Sequence, residues 1–294
     1  MSRTREQLKQ ILPSSLIGFG RGIIVCFCRL RTWRAVMTEL KGASPVDQGI
    51  LRRSLRRGIV QAARDPDQWQ DPQLVEDANI SVPGIGRFAL RAFSDDLYQV
   101  LPSQEAAVLA EIRARLRPGS TFVDCGANIG FFTVIASRLV GPTGRVFAIE
   151  MMPATSDRLR QHVETNELTN VTVFQSALSD RTGESVIAFL PESSHGQASI
   201  VRRENERGLE VTVTTRTLDD LLGDEPGPID LVKMDIEGAE ALALKGAEKV
   251  LSRTRAVIFE QLEDSASAGD LLSTAGFAIR VLDPRNRLAE RDRQ

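Results

Sequence analysis

The chain is poor in cysteine, with three thiols in 294 residues. So few do not make a disulfide framework, and a reducing cytoplasm is the compartment they suggest. Cys26 and Cys28 form a lone Cys-x-Cys without partner ligands, short of the four that a structural zinc needs. Cys125 reads as a small buried filler. A catalytic thiol would need an imidazole, and the only two histidines, His162 and His195, are not placed beside it by sequence. The longest apolar run, residues 16–28, is interrupted by Gly18, Gly20, Arg21 and Gly22. It falls short of the roughly 20 apolar residues that span a bilayer and lacks a signal-peptide cleavage site. Internal repeats and low-complexity tracts are absent. A net charge of -2 removes the global case for a nucleic-acid binder.

What charge there is sits unevenly. Residues 1–57 carry 12 Lys+Arg against 3 Asp+Glu, leaving 25 against 36 for the rest, so the front is basic and the remainder acidic. Residues 1–41 read either as a helix packed on the main domain or as an interfacial anchor whose arginines meet anionic lipid, a peripheral membrane contact. Residues 42–75, punctuated by Pro45, Pro66 and Pro72, read as short helices and linkers. Arg52, Arg53, Arg56 and Arg57 share a basic helical face, which is a solvated surface or a contact for phosphate or glycan carboxylate. Residues 79–93 alternate around Pro83, Gly84 and Gly86 as a β-hairpin. Residues 104–116 form an amphipathic helix, with Ser103 as N-cap and Pro118-Gly119 as its stop. A domain boundary is expected near residue 100, giving a basic helical and hairpin extension over 1–100 and a main domain over 101–294.

The main domain is organised around Phe122-Val-Asp-Cys-Gly-Ala-Asn-Ile-Gly130. An apolar strand ends at Asp124, Gly126, Asn128 and Gly130 make a turn, and apolar residues in helical order follow to Leu139. Strand, glycine turn and helix together make a nucleotide-binding geometry, because the backbone can approach a ligand at the strand's carboxyl end. Gly144-Arg-Val-Phe-Ala-Ile-Glu150 is a second strand, ending in an acid where a carboxylate can accept ribose hydroxyls. No Gly-Lys-Ser/Thr follows the glycines, which excludes a phosphate P-loop. No Gly-x-Gly-x-x-Gly is present either, which speaks against a Rossmann dehydrogenase.

Strand and helix patterns then alternate, which implies a parallel sheet covered on both faces. A helix is expected over 153–164 and a third strand over 171–175, ending at Ser176-Ala177. Strands at 184–190 and 209–215 enclose a polar segment holding His195, a place for an acceptor loop. A short helix begins at Thr217. A fourth strand over 229–234 ends at Asp235, one continuous helix over 237–251 follows, and a fifth strand over 256–259 ends at Glu260. Helix 265–274 and strand 277–282 follow, and any seventh strand must come from about 287–290.

Asp124-Cys-Gly-Ala-Asn-Ile-Gly130, Glu150, Ser176-Ala-Leu-Ser-Asp180, Thr217-Leu-Asp219, Lys233-Met-Asp-Ile-Glu-Gly238, Gly246-Ala247 and Ile258-Phe-Glu260 occur in the order and spacing of the FkbM family of S-adenosylmethionine-dependent methyltransferases. The chain resembles that family over roughly residues 100–282. The resemblance implies an α/β class I methyltransferase, Rossmann-like fold, with a mostly parallel sheet and helices on both faces. It implies S-adenosylmethionine as methyl donor and O-methylation of a sugar, glycan, glycolipid or natural-product hydroxyl. It places Ser176 and Ala177 by the adenine ring. The family has an acid followed by Pro after the second strand, whereas here Met151 and Met152 separate Glu150 from Pro153, so the entry to the next helix is expected to shift. From another class, a catalytically inactive adaptor retaining the fold would be expected to lose Glu150 or the glycines, and all are present.

Asp124, Glu150, Asp235 and Glu260 all fall at strand ends on one edge, and a cleft of negative potential suits a cationic sulfonium. Cofactor contacts are expected from Asp124, Gly126, Asn128, Gly130, Glu150, Ser176, Ala177 and Asp235. Methyl transfer demands alignment, and a general base adds to it when the acceptor is a neutral hydroxyl. Asp235 is the first candidate and His195 the second. Glu237 either faces the cleft or complements the N-terminus of its own helix. Asp124 has turn-making as its structural alternative, and Glu260 an ion pair with Lys233 or Arg255. Asp235, Glu237 and Glu260 also offer oxygen ligands to a divalent cation.

Overall fold

The computed structural model describes residues 14–65, 68, 70–191, 198–201, 208–261 and 266–291. The chain divides into two compact units. The first holds residues 1–83 and 89–103, and the second residues 84–88 and 104–294.

In the first unit a helix over Ser14–Glu39 leads through the short strand β1 (Lys41–Gly42) into a helix over Pro45–Arg64. The second helix corrects the expectation of short helices and linkers. Pro45 opens the helix where its missing N–H costs nothing, and Ser44 caps it by accepting from the Asp47 N–H at 3.2 Å. The two helices pack closely because Gly58 leaves room for Trp33: a Cβ there would lie 2.1 Å from the indole nitrogen. Strands β2 (Ala78–Val82) and β3 (Gly86–Leu90), the latter drawing Gly86–Phe88 from the second unit's residues, supply the expected hairpin, and with β1 they form a sheet in the order β1-β2-β3. Of the four arginines expected on a basic face, Arg53 pairs with Glu76 at 2.6 Å and Arg57 lies over the Phe93 ring. Among the described residues no helix is long and apolar enough to cross a membrane.

The second unit is built on a seven-stranded sheet. In chain order its strands are β4 (Thr121–Cys125), β5 (Arg145–Glu150), β6 (Val171–Gln175), β10 (Leu231–Met234), β11 (Ala256–Glu260), β12 (Ala278–Val281) and β13 (Asn286–Glu290). Their spatial order is β12-β13-β11-β10-β4-β5-β6. All the neighbouring pairs from β11 across to β6 are parallel, while β13 runs antiparallel to both β11 and β12. Every residue of β4, β10 and β11 is buried, as expected of central parallel strands covered on both faces. Strand order reverses between β4 and β10, and a cleft lies at that switch point. A smaller sheet, in the order β7-β9-β8, is made by β7 (Ala177–Leu178), β8 (Ser185–Pro191) and β9 (Gly208–Arg216).

Two local expectations fail. Helix Ala106–Arg115 starts after Glu105 with no side-chain cap, so Ser103 is not its N-cap; the Ser103 N–H donates instead to Glu39 at 3.0 Å. The continuous helix expected over 237–251 is two short ones, Glu240–Lys245 and Glu248–Ser252. The break follows from a distant carboxylate. Asp219 accepts the N–H groups of Lys249 and Val250 at 3.0 and 2.9 Å, giving a new helix start the donors it would otherwise leave unpaired. Gly246 fits there because a Cβ would lie 2.6 Å from the Ser179 carbonyl.

Candidate active site

The glycine turn leaves β4 at Cys125. Gly126 (φ +77°), Asn128 (φ +49°) and Gly130 (φ +89°) all adopt left-handed backbone, which glycine and asparagine tolerate. Gly126 has no alternative: a Cβ would sit 1.8 Å from the Asp235 carbonyl, so only glycine lets the turn pass the end of β10. The N–H groups of Gly126 and Ala127 both donate to the Ile149 carbonyl, and His162 Nδ1 lies 2.7 Å from the Ile129 carbonyl. His162 is completely buried, and periodicity gave no reason to connect it with the turn.

Glu150 closes the next strand with its carboxylate wrapped by backbone. One oxygen accepts the Asn128 N–H and the other the Met152 N–H, both at 2.9 Å. The two methionines that set this chain apart from the usual acid-Pro therefore close a loop around the carboxylate. Pro153 still begins its helix, Pro153–Thr165. Burial pushes Glu150 up to about 7, against the pull of those two N–H donors.

Asp124 is 1% exposed and accepts from Thr133 Oγ1 at 2.7 Å, in the first turn of the following helix, Phe131–Val140. Burial raises its pKa, opposed by Lys233 and by the Thr133 bond. Its place is behind the turn rather than in the cleft, which corrects the expectation of four acids on one open rim. Gly130 likewise packs against Leu159, which a Cβ would approach to 2.4 Å.

The cleft, with about 540 Å³ of open space, is lined by Gly126, Asn128, Glu150, Ser176, Ala177, Asp235 and Glu237, among others. Seven of the expected site residues are thus brought together, Asp124 and Gly130 do not line the cleft, and Glu260 reaches it only through its neighbours Asp235 and Glu237. His195 lies outside the described residues. Ser176 is itself buried and donates to backbone carbonyls, including that of Thr214 at 3.0 Å, leaving Ala177 to complete that side.

Around Lys233 lies a charged network that spacing alone did not reveal. Lys233 is 5% exposed, 3.2 Å from Asp235 and stacked on the Phe132 ring. Burial works against its charge, but the carboxylates of Asp235, Glu105 and Asp124 outweigh that and raise its pKa. Glu105, just before helix Ala106–Arg115, is pushed up to about 7 by burial, with Lys233 pulling the other way. Glu260 pairs with Arg285, not with Lys233 or Arg255 as expected. Burial and Asp235 raise its pKa, opposed by Arg285. A lysine inside the apolar run of β10 was a visible signal for Lys233. Arg285 and Glu105 carried none, since each arrives from a loop at the edge of its element.

Glu237 is not in a helix. It sits at φ +53° in the turn after β10, its carbonyl accepting from Ser199 Oγ at 2.7 Å. The helix-end role falls to Glu240, which accepts the N–H groups of Ile236 and Gly238 at 3.1 and 3.3 Å. Glu237 therefore faces the cleft, the other of its two expected placements.

A parallel sheet with one reversed strand, and a glycine turn facing a strand-end acid, define a class I methyltransferase. The Methyltransferase FkbM domain matches residues 124–284, and the chain belongs to that family. Similar curated proteins are methyltransferase sdnD of Sordaria araneosa, 27% identical over 71% of this chain and 90% of that one, and the 2-O-methyltransferase NoeI of Sinorhizobium fredii, 28% identical over 62% and 79%. Among solved structures, the FkbM methyltransferase of Methylobacillus flagellatus aligns over 67% of this chain and 54% of that one, at 21% identity and a TM-score of 0.38.

Proposed function

We propose that the chain transfers a methyl group from S-adenosylmethionine to a hydroxyl oxygen of a sugar, glycan, glycolipid or other small natural product. The observation that carries this reading is the juxtaposition, across one cleft, of the Asn128–Glu150 pair with Asp235. In it, Glu150 receives the ribose hydroxyls, Gly126 and Asn128 bring backbone against the cofactor, and Ser176-Ala177 flank the adenine. The negative potential of Glu150, Asp235 and Glu237 favours the sulfonium over its neutral product.

The acceptor oxygen attacks the methyl carbon in line, the carbon–sulfur bond breaks, and its electron pair stays on sulfur as S-adenosylhomocysteine. The hydroxyl proton passes to Asp235, which Lys233 orients through their 3.2 Å pair. Alignment of the two substrates supplies most of the barrier reduction, roughly 7 to 11 kcal/mol at best. Oxygen as the acceptor atom is supported by the relative NoeI, a 2-O-methyltransferase. Incubating the chain with methyl-labelled S-adenosylmethionine and a panel of hydroxylated glycans and extracts tests this. Label in an alkali-stable ether supports it, whereas label in amines or thiols alone overturns the choice of oxygen.

A further inference from the structure

We infer that Asp235, Glu237 and Glu260 form a divalent-cation site on the acceptor side of the cleft. One carboxylate oxygen from each lies within 4.8 Å of the others. Ligands on opposite sides of a shell at about 2.1 to 2.4 Å stand roughly 4.2 to 4.8 Å apart, so the three oxygens can share one magnesium- or calcium-sized ion.

The second observation concerns Glu260. Its side chain is 3% exposed, and while one oxygen is held by Arg285, Oε2 is buried without a hydrogen-bond partner. A buried carboxylate oxygen left unpaired is costly. A cation beside Asp235 and Glu237 would give it a partner. Lys233 pairs with Asp235 and Arg285 with Glu260, so the trio's carboxylates stand close enough to need cations beside them. The hard, all-oxygen donor set selects Mg²⁺, Mn²⁺ or Ca²⁺ over zinc. Asp235 and Glu237 line the cleft, so the ion would hold acceptor oxygens and ease loss of the hydroxyl proton. This rests on the methyltransferase reading for its purpose but not for its existence.

Mn²⁺ titration of the full chain, followed by electron paramagnetic resonance of the free ion, tests the site. Isothermal titration with S-adenosylhomocysteine is run on the same preparation. One Mn²⁺ per chain with a Kd below about 1 mM is expected, competed by Mg²⁺ or Ca²⁺, with affinity lowered at least tenfold in Glu237→Gln and in Glu260→Gln. Glu237 is a turn residue, so its variant keeps the test decisive should loss of the Arg285 pair unfold the Glu260 variant. Absence of Mn²⁺ binding while S-adenosylhomocysteine binds overturns the cation site alone. Absence of both overturns the cation site and the methyltransferase reading together. Mn²⁺ binding unchanged in Glu237→Gln marks an adventitious ion only and also overturns the inference.

Discussion

Replacing Glu150 with Gln probes the cofactor side of the cleft with one change of charge and almost none of shape. In the native chain the two carboxylate oxygens serve the N–H groups of Asn128 and Met152. Glutamine keeps one acceptor and puts an amide donor against the other N–H, at a cost of about 1–3 kcal/mol for a buried unpaired group. Hydrogen bonds from ribose to a charged acceptor contribute about 1.5–3 kcal/mol, so losing one weakens S-adenosylhomocysteine roughly 10- to 150-fold. A pH signature accompanies this. With the native group at about 7, only about a tenth is ionised at pH 6 and about nine-tenths at pH 8, so affinity rises up to about tenfold over that range. Calorimetric titrations of both proteins at pH 6, 7 and 8 read the two effects together. Equal affinities, or a pH dependence that survives in the variant, would refute the role given to Glu150.

Three further outcomes are expected. Gly126→Ala places a Cβ 1.8 Å from the Asp235 carbonyl at φ +77°; it loses at least about 1–2 kcal/mol from the backbone alone, seen as a lower Tm with weakened S-adenosylhomocysteine binding, and an unaltered Tm would contradict the close approach. Asp235→Asn lowers kcat by about 10² to 10⁴ if it removes the base while leaving S-adenosylhomocysteine affinity within a few-fold, and unchanged turnover would remove Asp235 from that role. The stability of the ligand-free chain carries a Glu150 contribution that falls as pH rises from 4.5 to about 7. In that window the folded state binds more protons than the unfolded one, with a slope of at most about 1.4 kcal/mol per pH unit. Urea unfolding at pH 5, 6 and 7 against Glu150→Gln measures it, and equal slopes in the two proteins would count against it.

What could be read from sequence were features fixed within a few residues of chain. The turn after β4 showed itself because Gly126, Asn128 and Gly130 satisfy a backbone demand that the local sequence states. The strand ends at Glu150, Asp235 and Glu260 showed themselves because apolar runs stop there. What could not be read depended on partners far along the chain. Asp219 divides a segment 30 residues away into two helices. Arg285, from the turn between β12 and β13, takes the Glu260 carboxylate that was expected to meet Lys233 or Arg255. Pro45 was read as punctuation, although with Ser44 before it the same residue is a helix start. Asp124 looked like a rim residue because strand polarity gives its position but not the Thr133 hydroxyl that turns it inward.

The account stands on the cleft at the carboxyl ends of β4, β5 and β10 being an S-adenosyl site. Calorimetric titration of the full chain with S-adenosylhomocysteine, set beside the same titration with NAD, addresses that directly. One S-adenosylhomocysteine per chain at micromolar affinity, with no heat from NAD, is the predicted result. Binding of NAD in its place, or of neither, would contradict it.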